Sequence, residues 1–258
     1  MLYGDDLAYI QAAGFGDFAR RVVPHVISLL RALPPQPRVA IDLGCGAGVS
    51  TAALAAAGFD TIAVEPSRPL LELARSAVTA MDGGNAAIEG LGSRQPLVQF
   101  VNASAHDYVF PPCAAILALG EPLTYHDPSV DADTRLRDLF GRAARALAPG
   151  GFLIFDLIVT GEPTLANRGW TSGADWAVLF ETSEDHAAAR LHRRIETFRE
   201  VGGGYRRGAE THEVRVFERD AVVAWLAAAG FDVEATPSYG PVPLPSRRMA
   251  FTARRRGA

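Results

Sequence analysis

The sequence predicts a doubly wound α/β sheet with helices on both faces. Two observations carry this prediction. From residue 39 to residue 157, short apolar runs alternate with stretches of helical periodicity, the order that gives a parallel sheet covered on both sides. The first of those runs, Val39-Ala40-Ile41-Asp42-Leu43, is rich in β-branched residues and passes at once into glycines, as a buried strand does when it must turn sharply into a helix.

Taken in order, residues 5–13 and 18–33 read as helices. In the second, Phe18, Val22, Val26, Leu29, Leu30 and Leu33 recur near helical spacing, and Pro34-Pro35-Gln36-Pro37 ends it in a stiff linker. After the first strand come a helix at 49–57 stopped by Gly58, a strand at Thr61-Ile62-Ala63-Val64, and a helix at 67–81 broken by Gly83-Gly84-Asn85. Val98 to Val101 and Ala114 to Leu119 read as the third and fourth strands. Residues 133–147 form a helix with Leu136, Leu139, Phe140, Ala143, Ala144 and Leu147 on one face, and Pro149-Gly150-Gly151 turns into a fifth strand, Phe152 to Leu157.

The pattern changes after Asp156. Residues 161–175 are polar and glycine-rich. Three partly alternating runs follow, Trp176 to Glu181, Leu191 to Arg199 and Tyr205 to Phe217, with the hairpin signal Gly202-Gly203-Gly204 between the last two. Residues 160–217 therefore read as an antiparallel insertion. A helix at 219–229 capped by Gly230 and two closing strands, Phe231 to Ala235 and Met249 to Ala253, complete one domain over 1–258. Residues 1–34 carry Tyr3, Tyr9, Phe15 and Phe18 around Gly14 and Gly16, which suits a helical lid; a helix packed permanently on the sheet is the alternative.

Composition narrows the function. With 48% hydrophobic and 21% charged residues the chain is globular, and a net charge of −4 argues against a general nucleic-acid binder. All 25 basic residues are arginine, so no lysine base, Schiff base or phosphate-binding lysine exists. Two cysteines make neither a disulfide framework nor a closed zinc site, and no metal site is expected. No apolar run approaches the roughly 18 residues of a membrane span, and the first residues lack the features of a secretory signal; the expectation is a cytoplasmic protein with no membrane partner.

The strongest signal is Asp42-Leu43-Gly44-Cys45-Gly46-Ala47-Gly48. Glycine tolerates positive φ and lets a ligand approach the backbone. Val49 stands where the dinucleotide fingerprint has its third glycine. Asp42 would repel a pyrophosphate and attract an ammonium group, so the loop points to a nucleotide-like ligand with a cationic end. Glu65, closing the second strand, can accept hydrogen bonds from two ribose hydroxyls.

These residues resemble motif I and its partner acid in the class I S-adenosylmethionine-dependent methyltransferases of the small-molecule type. Further matches follow in order: Phe100-Val101-Asn102-Ala103-Ser104-Ala105, with Ser104 where the family often has Asp; Gly120-Glu121-Pro122-Leu123-Thr124-Tyr125; Leu147-Ala148-Pro149-Gly150-Gly151; and Leu226 to Phe231. The likeness covers roughly residues 38–157 and 213–255. It implies a Rossmann-like fold and S-adenosyl-L-methionine as cofactor. It implies that Gly44, Gly46 and Gly48 pass beside the methionine part, that Asp42 helps to hold the ammonium through water, and that Glu65 holds the ribose. Ser104 and Ala105 would border the adenine and Gly120 would lie beside the sulfonium, with Cys45, Pro66 and Leu119 as neighbouring contacts.

Position selects the catalytic set. Glu121, Tyr125 and His126 follow the fourth strand, where ligands sit in such folds. His126 titrates near neutral pH and suits a general base; a surface histidine is the alternative. Tyr125 suits a wall or a hydrogen bond to substrate, and Glu121 an orienting role. In the insertion, Trp170, Trp176, Phe180 and Tyr205 are expected to build the pocket of an enclosed organic substrate. His212 and Arg215 fall on opposite faces of a regular strand. The expected function is metal-independent methyl transfer to a small molecule. The rivals are a nicotinamide-dependent oxidoreductase, a non-catalytic S-adenosylmethionine-binding module, and sulfonium chemistry other than methyl transfer.

Overall fold

A computed structural model gives the architecture and describes residues 2–33, 37–82, 96–125 and 130–257. Helices α1 (Asp5–Gly14) and α2 (Asp17–Leu30) precede β1 (Val39–Leu43). Then come α3 (Val49–Ala56), β2 (Asp60–Val64), α4 (Arg68–Asp82), β3 (Val98–Val101) and β4 (Cys113–Ala118). A 3-10 turn at Pro122–Thr124 leads to α5 (Ala132–Ala146) and β5 (Leu147–Ile158). Four strands follow, β6 (Asn167–Ser172), β7 (Trp176–Asp185), β8 (Arg190–Val201) and β9 (Gly204–Arg215). The chain closes with α6 (Arg219–Ala228), β10 (Phe231–Thr236), a small β11–β12 ribbon (Ser238–Tyr239 and Val242–Pro243) and β13 (Arg248–Arg255).

The central sheet runs β10-β13-β5-β4-β1-β2-β3. Strands β1 to β5 pair in parallel and β13 pairs antiparallel with both β5 and β10. Because successive side chains in a strand point to opposite faces, β1 serves two cores. Ile41 and Leu43 pack with Leu136, Leu139 and Phe140 of α5 and Leu226 of α6, beneath a run of rings in which Phe155 stacks on Phe251 at 5.0 Å. Ala40 faces the other way, onto Val22, Val26 and Leu30 of α2 and Leu54 of α3. Each large side chain so buried contributes on the order of 1.5–3 kcal/mol.

The second sheet, β6-β7-β8-β9, is antiparallel throughout. The alternation reads three of its strands; β6 falls in the stretch that reads from sequence only as polar and glycine-rich. Gly169 in β6 explains this, since its missing side chain leaves the space that the Phe180 ring occupies. Helix α1 packs between α4 and strands β7 and β8 of the second sheet. Ile10 packs on Trp176 and Val178, the Tyr9 hydroxyl donates to Asp175 at 2.6 Å, and Arg199 sits 3.7 Å over the Tyr9 ring.

Candidate active site

The carboxyl ends of β1, β2, β3 and β4 open into a cavity of about 780 Å³, where doubly wound sheets bind their ligands. Its floor is the glycine loop, with Gly44, Cys45, Gly46, Val49 and Ser50 in the wall. Gly44 and Gly46 have positive φ, 65° and 55°. A side chain on Gly44 would overlap Pro122, whereas one on Gly46 would enter open space, the clearance that a ligand lying along the loop requires.

Glu65 and Pro66 line the cavity at the end of β2. The Glu65 carboxylate accepts from the Gly46 backbone N–H at 3.0 Å and the Ser67 backbone N–H at 2.8 Å. Each oxygen keeps a second lone pair. Burial pushes this carboxyl up to about 7, against the pull of those two bonds. Ser104, Ala105 and His106 line the cavity after β3, and Leu119 and Gly120 after β4. Gly120, at φ 89°, also faces open space. The His106 Nε2 lies 3.3 Å from the Leu123 carbonyl, while its buried Nδ1 has no partner. Burial, with Arg135 nearby, lowers this imidazole to about 4, so at neutral pH it is uncharged. Tyr3, Gln11, Phe15, Phe18 and Tyr125 close the remaining sides, the first four contributed by the N-terminal segment.

Of the sequence-predicted residues, Gly44, Cys45, Gly46, Glu65, Pro66, Ser104, Ala105, Leu119, Gly120 and Tyr125 all face this cavity. Cys45 is a small wall residue whose thiol is pushed well up by burial, so it is not a thiolate nucleophile. Three readings change. Asp42 shares the face of β1 with Ala40, and its Oδ2 accepts from the Ser50 hydroxyl at 2.7 Å and the Thr51 hydroxyl at 2.6 Å. It is 1% exposed and stands behind the cavity wall, fastening the first turn of α3, so it does not reach the cavity directly. Gly48 also lies outside the lining; a Cβ there would come within 2.9 Å of the Ala74 backbone in α4, so this glycine serves helix packing. Glu121 points away from the cavity into an ion-pair cluster, 2.9 Å from Arg193 and paired with Arg248. Its backbone takes φ 66° to turn the chain there. His126 lies outside the described residues.

The insertion's aromatics do not build the cavity. Trp170 and Tyr205 are 73% and 67% exposed, Trp176 packs on α1, and Phe180 covers Gly169. The second sheet instead stands behind Tyr3 and Tyr125, through His212 and Arg193. Arg215 pairs with Asp133 at 3.2 Å and donates to the Ala188 and Ala189 carbonyls, on the other side of β9 from His212.

Sequence reading passed over Asp156, which is fully buried and shapes the turn after β4. Its carboxylate accepts from the Gly120 N–H at 2.8 Å, the Glu121 N–H at 3.1 Å and the Tyr239 hydroxyl at 2.9 Å, and Arg248 Nε lies 2.9 Å away. A lone acid in an otherwise apolar strand was the available signal. Among the described residues no group of three or more His, Cys, Asp or Glu side chains could hold a metal ion.

This combination of fold and site defines a nucleotide-cofactor enzyme of the Rossmann-like class. The methyltransferase domain family matches residues 15–236, and the chain belongs to it. A trans-aconitate 2-methyltransferase from Acidovorax ebreus is 31% identical over 135 residues, which are 52% of this chain and 44% of that relative. The match thus spans under half of the relative's length. An S-adenosylmethionine-dependent methyltransferase from Clostridium acetobutylicum superposes with a TM-score of 0.75 at 17% identity, covering 96% of this chain and 99% of that one. The sugar N-methyltransferase KedS8 from Streptoalloteichus gives a TM-score of 0.72 at 20% identity, covering 100% and 97%. At these identities the structural likeness shows the fold, which is that of the class I S-adenosylmethionine-dependent methyltransferases.

Proposed function

We propose that this methyltransferase moves the methyl group of S-adenosyl-L-methionine to a small organic acceptor, chiefly by positioning. The observation that carries the reading is the cavity that joins the open glycine loop, the Glu65 carboxylate and Gly120 in one wall. The residues fit the cofactor. Glu65 would accept from the ribose hydroxyls, Gly46 leaves room beside the loop for the methionine part, and Ser104, Ala105 and His106 border the place of the adenine. Asp42 supports the loop from behind. When bound, the cofactor supplies a sulfonium-activated methyl group for displacement by the acceptor.

Gly120 would lie beside that methyl, between the cofactor and an acceptor walled by Phe15, Phe18, Tyr3 and Tyr125, all of which line the cavity. Burial raises both phenols above their ordinary range, so they remain neutral hydroxyls that orient a polar group of the acceptor without ionising. Their apolar neighbours suit a compact organic body and exclude water, which strengthens positioning. Where the acceptor must lose a proton, His126 is the base; His106, held near 4, is too weak to serve at neutral pH. The N-terminal helices act as the lid over both ends, and the second sheet backs the acceptor wall.

Calorimetric titration with S-adenosylhomocysteine, with NADH as control, tests this. One-to-one binding of the first and none of the second is expected. Tight NADH binding with no response to S-adenosylhomocysteine would favour the oxidoreductase instead. His126→Ala should retain S-adenosylhomocysteine affinity while lowering turnover, and unchanged turnover would remove the base assignment.

A further inference from the structure

Glu210 and His212 lie two residues apart on β9, hence on one face of the strand, and neither lines the cavity. Glu210 Oε2 accepts from the Tyr3 backbone N–H and Oε1 from the Gly4 backbone N–H, both at 2.8 Å. The His212 Nε2 donates to the same carboxylate at 2.8 Å and is 1% exposed. Its ring packs against both cavity tyrosines, 5.1 Å from Tyr3 and 5.8 Å from Tyr125. The two hydroxyls then stand 3.4 Å apart. On the opposite side the Tyr3 carbonyl accepts from the Ser67 hydroxyl at 2.7 Å, and the Ser67 N–H is itself bonded to Glu65. Tyr3 takes φ 53°, a left-handed conformation that a bulky residue adopts only when its surroundings dictate it.

We infer that Glu210 and His212 are positioning residues for the transfer: they hold Tyr3 in this conformation against Tyr125 and so complete the acceptor end of the cavity. The same residue is tied through Ser67 to the carboxylate that meets the cofactor. A filled cofactor site and a finished acceptor wall therefore reinforce one another through a single backbone unit. Two carboxylate–amide bonds are charge-assisted and stronger than neutral ones, which is what a strained backbone residue needs. This inference rests on the cofactor assignment above.

The test combines backbone hydrogen exchange of the peptide covering residues 2–9 with calorimetric titration of S-adenosylhomocysteine. In the wild-type protein the ligand should slow exchange of that peptide. In Glu210→Ala that ligand-dependent slowing should disappear and the affinity should fall about tenfold, the loss expected for removing one charged acceptor, while a peptide from β4 stays as protected as before. Glu210→Gln, which keeps one acceptor oxygen, should fall between the two and carries the test if the alanine variant does not fold. Ligand-dependent protection and affinity that both match the wild type in these variants would overturn the inference alone. A folded wild-type protein that does not bind S-adenosylhomocysteine would overturn the cofactor assignment and the coupling with it.

Discussion

The backbone N–H of Gly120 is held by the carboxylate of Asp156, 2.8 Å away across the junction of β4 and β5. The bond fixes the turn after β4 that carries Gly120 into the cavity lining. Removing the carboxylate would take the acceptor from two backbone amides and the buried Tyr239 hydroxyl, and would leave Arg248 with Glu121 as its remaining acid. Breaking a buried pair of this kind costs about 3–5 kcal/mol. Asp156→Ala should therefore shift the urea midpoint strongly downward, and Asp156→Asn, which keeps one acceptor oxygen, by less. Equal stability of Asp156→Ala and wild type would show that the turn holds its shape without this carboxylate.

Gly46 and Gly48 are two residues apart in one loop and should fail differently. A side chain at 46 meets nothing in the protein, and one at 48 meets the backbone of α4. Gly46→Ala carries only the left-handed strain, roughly 1–2 kcal/mol, but fills space beside the cofactor. It should stay folded and lose more than about tenfold in S-adenosylhomocysteine affinity, a displacement worth over 1.4 kcal/mol. Gly48→Ala adds overpacking of about 1–3 kcal/mol to the strain and should be clearly the less stable of the two. Denaturation curves and titrations on both variants check this; wild-type affinity in Gly46→Ala would place the cofactor away from the loop.

Much of this site was legible because backbone demands leave marks in sequence. A run such as Val39 to Leu43 entering glycines at 44, 46 and 48 has few physical explanations, and the acid at 65 follows at the next strand end. The strand phase also shows where Asp42 points, since alternation puts it with Ala40 on the α3 face, where it meets Ser50 and Thr51. What the sequence could not show were meetings across long separations. Tyr3 and Glu210 are 207 residues apart, and nothing local in either marks the other. Aromatic content misled for the same reason: Trp176 is bulky and apolar like a pocket residue, yet it packs on α1 because that helix lies against its sheet.

Cofactor affinity should depend on pH through Glu65. Its carboxyl lies at about 7 in the free protein, whereas ribose hydroxyls donate best to the ionised form. As pH falls below 7 the ion becomes scarcer and binding must expel a proton. S-adenosylhomocysteine should bind about tenfold more weakly at pH 6 than at pH 8, with proton release detectable in buffers of different ionisation enthalpy. Glu65→Gln should bind weakly at both pH values and release no proton. A flat profile in the wild-type protein would separate Glu65 from ribose recognition.

Stability should show a paired effect in acid. His106 is lowered to about 4 in the folded protein and Glu65 is raised to about 7. For His106 the unfolded chain binds the extra proton between about 6.5 and 4, so folding loses stability as pH falls through that window. For Glu65 the folded chain binds the extra proton between about 4.5 and 7, so folding gains stability as pH falls through it. Each contribution is at most about 3 kcal/mol, the histidine's somewhat less because its ring is partly exposed. Across pH 6.5 to 4.5 they oppose one another, and these two sites together should leave stability nearly level. Glu65→Gln removes the gain and leaves the loss, so its unfolding free energy from urea denaturation should fall between pH 6.5 and 4.5 by about 2 kcal/mol more than that of the wild-type protein. His106→Leu should do the reverse and become relatively more stable in acid. Parallel pH profiles for the wild-type protein and Glu65→Gln would mean that the Glu65 carboxyl is ionised throughout this range, and the affinity dependence argued above would vanish with it.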